Sequence, residues 1–81
     1  MTTGSLGALV LPPNVWAAVL KLLTSIEEAD SAQTLNLAAH YAQGFVLGIE
    51  TSTRFTAADI KALYLGFDAA ALRRGAALRQ V

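Results

Sequence analysis

The sequence contains no cysteine, one histidine, two prolines and few charged residues. The absence of cysteine excludes disulfides and thiolate metal sites, and His40 alone cannot build a metal centre. Charged residues make up 15% of the 81 residues, against about 25% in an average globular domain. A chain this short usually needs disulfides, a metal or oligomerisation for part of its stability. The composition therefore points to oligomerisation and predicts neither a metal nor a cofactor.

The charges that are present balance, six basic against six acidic. A net charge of zero argues against nucleic acid as a partner, because such binding depends on neutralising phosphates. No stretch approaches the roughly 20 apolar residues that span a membrane, and residues 1–5 lack the positive start of a secretory signal. We therefore expect a cytoplasmic protein without membrane contact. The alanine-rich, lysine-poor composition is typical of a bacterial or phage gene.

Apolar residues make up 54% of the chain, and their spacing predicts an all-α protein. We expect a small three-helix bundle with helices near residues 14–28, 31–49 and 57–74, all in one domain over residues 14–81. Residues 1–13 should form an extended N-terminal arm, because Pro12 and Pro13 disfavour helical angles in the residues before them. The third helix continues to about Gln80 if Gly75 does not stop it, and a fourth helix arises if Gly75 divides the last helical segment.

Two segments carry the spacing of a helix start. Thr56 and Asp59 fit a capping box, and the flanking Phe55 and Ile60 fit a hydrophobic staple, which predicts that the third helix begins here. Asp30 and Gln33 have the same three-residue spacing and predict a second helix from residue 31. The alternative is that the first and second helices form one bent helix that continues through Asp30 and Gln33.

The second helix carries a strip of apolar and glycine residues between its core face and its polar face. The strip consists of Leu37, Tyr41, Gly44 and Gly48. Each glycine costs about 1 kcal/mol relative to alanine in a helix interior. We therefore expect a close-packing groove, occupied by a backbone of the same chain or of a partner.

The third helix is apolar on two sides. Its main face comprises Ile60, Leu63, Tyr64, Phe67, Ala70 and Ala71. A second strip comprises Ala58, Leu65, Ala69, Leu72 and Ala76. A helix that is apolar on two sides is buried on two sides, and three helices can cover only one of them. The sequence therefore predicts a protein–protein interaction module, self-associating and most simply dimeric, with an adaptor, regulatory or inhibitory role.

Catalytic chemistry finds little support in the sequence. There is no phosphate-binding glycine loop, zinc-protease motif or nucleophile elbow, and His40 lies on a polar helix face. We expect no enzyme. The alternative function is a nucleic-acid-associated regulator that uses the C-terminal arginine cluster of Arg73, Arg74 and Arg79. The same arginines also suit the negative end of a helix dipole.

Overall fold

The computed structural model describes residues 11–52 and 54–80, which form three α-helices and no strand. Helix α1 spans Pro13–Glu27, α2 spans Ala32–Glu50 and α3 spans Ala57–Arg79. Each helix packs against the other two. The all-α prediction with three helices is confirmed. Most of the predicted arm, residues 1–10, lies outside the described residues, while Leu11 packs against the core and Pro13 already belongs to α1.

The two prolines set the start of α1. Pro12 has extended backbone angles at the N-cap, and Pro13 occupies the first helical turn, where a missing N–H costs nothing. Trp16 N donates to Pro12 O over 2.9 Å as the first helical bond. The helix ends at Glu27, where the backbone tightens and Ala29 N donates to Ile26 O over 3.3 Å. The chain therefore forms two helices here, and the bent-helix alternative is wrong.

The start of α2 differs by one residue from the predicted capping box. Ser31 is the N-cap, and its Oγ accepts from Thr34 N over 3.1 Å while Ser31 N donates to Thr34 Oγ1 over 3.1 Å. The proposed pairing of Asp30 with Gln33 is wrong, because only the residue with extended angles directly before the helix can cap it. Asp30 instead accepts from Thr34 Oγ1 over 3.2 Å.

The start of α3 follows the sequence prediction. Asp59 N donates to Thr56 Oγ1 over 3.1 Å, and Thr56 N donates to Asp59 Oδ2 over 3.2 Å, which completes the capping box. Phe55 is half-buried and packs against the core. These bonds satisfy backbone N–H groups that the first helical turn leaves without partners.

Helix α3 continues past Gly75 to Arg79, with Gln80 as its C-cap, so the early end near residue 74 is wrong and the longer alternative is correct. No described glycine has the positive φ that a helix-terminating glycine adopts. A Cβ placed on Gly75 would lie 3.6 Å from Leu35 Cδ2 and 3.4 Å from an Arg79 side-chain nitrogen. Gly75 therefore lies at the α2–α3 packing surface, and a fourth helix is not found among the described residues.

The core lies on one face of each helix. Val19, Ile26, Val46 and Leu63 are the largest fully enclosed side chains. Alanines fill much of the remaining contact surface and let the helices approach closely. The core residues are Val19, Leu23, Ile26, Ala29, Leu35, Ala38, Ala42, Val46, Ile60, Leu63, Phe67 and Ala70. This inward packing leaves the opposite faces of α2 and α3 in solvent.

Candidate protein interface on the third helix

The second apolar strip of α3, here called the outer strip, faces solvent. Leu65 is 57% exposed and Leu72 is 66% exposed. Ala58 and Ala69 are also exposed, and Ala76 is half-buried. A helix advances 100° per residue, so residues seven apart return to almost the same direction. The core side chains of α3 point the other way, which leaves the outer strip without cover from the described residues of the chain.

Charged residues border the outer strip on both sides. Lys61 and Asp68 lie along one border and Arg73 along the other, and all three are exposed. Asp59, half-buried in the capping box, lies on the same border as Arg73. The arrangement is an apolar centre with polar edges, which is the usual anatomy of a protein interface.

The predicted groove on α2 is open among the described residues. Leu37 is 52% exposed and Tyr41 is 70% exposed, and Gly44 and Gly48 are exposed as well. A Cβ placed on either glycine would meet no atom within 4 Å. Packing by a helix of the same chain, one of the two predicted occupants, is therefore wrong for the described residues. The groove as a contact for a partner remains a prediction.

Sequence reasoning missed part of this α2 surface. Leu47 is 58% exposed and lies beside Gly44 and Gly48 on the outer face of the helix. Leu47 lies three residues after Gly44, and residues at this spacing are neighbours on a helix surface. This spacing is the sequence feature that would have placed Leu47 beside the strip. The exposed apolar surface of α2 is therefore wider than the strip that the sequence indicated.

A cleft of ≈ 580 Å³ lies between α1 and α2, and it was not foreseen from the sequence. Leu22, Phe45 and Tyr41 contribute apolar surface, and Lys21 and His40 also line it. His40 is exposed, as its place on a polar helix face predicted. The cleft joins the two helices at the border of the exposed α2 surface.

The three arginines of the C-terminal cluster have different surroundings. Arg74 is half-buried, and its Nε donates to the carbonyl oxygen of Ala29 over 2.7 Å. Arg74 therefore holds the α1–α2 connection against α3. Arg73 and Arg79 are exposed. Nucleic-acid contact by this cluster remains a prediction, with one of its three members already engaged inside the molecule.

The acidic residues around the α1–α2 connection lie at the same end of the molecule as these arginines. Glu27 lines a shallow groove together with Arg73 and Arg74. Asp30 lines another groove together with Arg79. Opposite charges thus lie near one another at this end of the chain, and exposed pairs of this kind contribute about 0–1 kcal/mol.

One side-chain bond links α2 to α3 at the other end. Tyr64 Oη donates to Glu50 Oε1 over 3.1 Å. Desolvation raises the pKa of Tyr64, and the hydrogen bond to Glu50 and its negative charge raise the pKa further. The bond connects the last turn of α2 with the second turn of α3 and has a structural role.

In the part of the chain that the structure describes, no three His, Cys, Asp or Glu side chains are grouped to hold a metal ion. None of its helices combines the length and the apolar character needed to cross a membrane. Comparison with family models, curated proteins and solved structures finds no match to this chain. Function is therefore inferred from the surface of the molecule itself.

Proposed function

We propose that this chain is a protein–protein interaction module that self-associates, most simply as a homodimer, through the outer strip of α3. One observation carries the proposal. Leu65 and Leu72 each leave more than half of their surface in solvent, two helical turns apart on one face. The exposed alanines between and beside them keep the strip flat enough for another helix to lie on it.

The energetics support a dimer that dissociates on dilution. Full burial of one leucine contributes about 1.5–3 kcal/mol, and a symmetric dimer covers two leucines on each copy. Since part of each leucine is already covered, we take about 1.5 kcal/mol per leucine, or about 6 kcal/mol for four. Association costs at least about 4 kcal/mol in lost freedom of motion. The surplus of about 2 kcal/mol is below the roughly 4 kcal/mol of millimolar binding, so burial of the alanines and of the border side chains must supply the rest.

An adaptor, regulatory or inhibitory role in the cytoplasm agrees with such a surface. A strip that pairs weakly with itself can exchange the second copy for a different protein that offers a better-fitting helix. The module would then occlude part of that protein. The alternative occupant competes with self-association, so the two states are linked by mass action.

Sedimentation velocity over a concentration series tests the proposal. We expect the wild-type protein to change from monomer to dimer, and L65E to stay monomeric over the same range. L37E is the matched control, because Leu37 is similarly exposed but lies on α2. It should dimerise like the wild type. All three proteins should have the same helical circular dichroism, since both leucines lie outside the core.

Two results would contradict the proposal. The first is a wild-type protein that remains monomeric at the highest concentration. The second is a dimer that L65E leaves intact.

A further inference from the structure

The outer strip of α3 has a regular alternation of residue sizes. On one edge, Ala69 and Ala76 recur seven residues apart and are preceded at the same spacing by Ala62, which borders the outer strip. On the other edge, Ala58, Leu65 and Leu72 recur every seven residues. Ala62 is half-buried beside the exposed members. This is the seven-residue pattern of a two-helix seam, with one edge small and the other mostly large.

We infer that two copies pair through α3 in antiparallel orientation, with the two-fold axis at the level of Phe67. The inference rests on the proposed self-association and adds its geometry. In this register Leu65 lies level with Ala69 of the second copy, and Leu72 lies level with Ala62 of the second copy. Ala58 then lies level with Ala76. Each leucine faces an alanine, and the strip is complementary in size to itself.

A parallel pairing fits the same residues less well. It would set Leu65 against Leu65 and Ala69 against Ala69 of the second copy. Leucine layers would hold the helices apart, and alanine layers would leave gaps between them. Unfilled space at a packed surface is destabilising in proportion to its volume. The size pattern therefore favours the antiparallel arrangement.

The charged borders distinguish the two orientations. In the antiparallel pair each charged border faces the same border of the second copy. Arg73 then lies about two residues along the helix axis from Asp59 of the second copy. Symmetry repeats this contact, so it occurs twice per dimer. The same orientation also places Asp68 close to Asp68 of the second copy, an unfavourable contact. In a parallel pair Asp68 would instead approach Arg73 of the second copy. Replacement of Asp68 therefore has opposite effects in the two orientations.

Cysteine cross-linking tests the orientation, since the chain has no cysteine of its own. We expect A58C and A76C, mixed and oxidised, to form a disulfide-linked heterodimer, because the two positions are level in the antiparallel pair. Neither variant alone should cross-link. Position 58 lies 18 residues along the axis from its counterpart in the second copy, or about 27 Å at 1.5 Å per residue, far beyond disulfide reach.

The outcomes separate this inference from the proposed function. Efficient cross-linking of each single variant with itself would show a parallel dimer and overturn the inference while leaving self-association intact. A dimer that cross-links in no combination would show that another face is used, which also overturns it. Failure to sediment as a dimer at any concentration would remove the proposed function itself.

A charge variant gives a second readout that needs no cross-link. D68N should strengthen the dimer by about threefold, because it removes the Asp68–Asp68 contact, and surface charge contacts contribute at this level. K61Q, on the same border, serves as the matched control for a charge change there. Weaker association of D68N than of the wild type would indicate the loss of a favourable Asp68–Arg73 contact and would contradict the antiparallel orientation.

Discussion

The two exposed glycines of α2 permit a quantitative prediction. In G44A/G48A, each new methyl group enters open space, since a Cβ at either position meets no described atom within 4 Å. Alanine is more favourable than glycine in a helix interior by about 1 kcal/mol per position. We therefore expect the free energy of unfolding of the double variant to exceed that of the wild type by about 2 kcal/mol.

Thermal unfolding followed by circular dichroism measures this gain. For a domain of this size, 1 kcal/mol shifts Tm by roughly 4–8 °C, so the double variant should melt at least about 8 °C higher. The measurement belongs at low protein concentration, where the chain is monomeric. G75A is the matched control. Its methyl group would make ordinary van der Waals contact with the Leu35 and Arg79 side chains, so its gain should be that of one of the two exposed positions, about 1 kcal/mol.

An unchanged or lower Tm in G44A/G48A would refute the reasoning. It would mean that these glycines are closely packed, against the open surface that the structure shows. A partner that docks on the α2 groove gives a separate signal: the same substitutions would weaken its binding while raising the stability of the free chain.

Three further predictions concern bonds that the structure places at helix ends and between helices. T56A should lower the free energy of unfolding by about 1 kcal/mol, because α3 loses its N-cap, as measured by urea denaturation. R74M keeps the apolar stem but leaves the Ala29 carbonyl without its donor, which should cost about 1.5 kcal/mol in the same assay. For Tyr64, the raised pKa means that its stabilising effect is complete below pH 10.0 and is lost as pH rises through the folded-state pKa. A titration of tyrosinate absorbance should therefore show a lower midpoint for Tyr64 in E50Q than in the wild type.

For each of these three predictions, a specific result would contradict the reasoning. A T56S variant should retain most of the stability, and equal loss in T56S and T56A would indicate that the cap bond is not the cause. Wild-type stability in R74M would show that the Arg74 bond contributes nothing. The tyrosine titration requires a Y41F background so that only one tyrosine is observed. An unchanged Tyr64 midpoint in E50Q would contradict the assigned contact with Glu50.

Local chemistry accounts for much of the fold. The prolines at 12 and 13 and the Thr56–Asp59 box act within one helical turn, so the sequence alone locates both helix starts. Helical periodicity likewise identifies the inner face of α3, because burial follows the 3.6-residue repeat. The same periodicity separates the outer strip from the core. These features are set by neighbours three or four residues away, and they need no knowledge of the tertiary arrangement.

Contacts between distant residues decided the rest. Glycine often ends a helix, yet Leu35 packs beside Gly75 and α3 continues to Arg79. The sequence places Arg74 in a basic cluster, but the structure shows that its side chain binds the Ala29 carbonyl 45 residues earlier in the chain. Local sequence fixes which backbone conformations are favourable. Only the packing of the helices determines which side chains then find a partner and which remain in solvent.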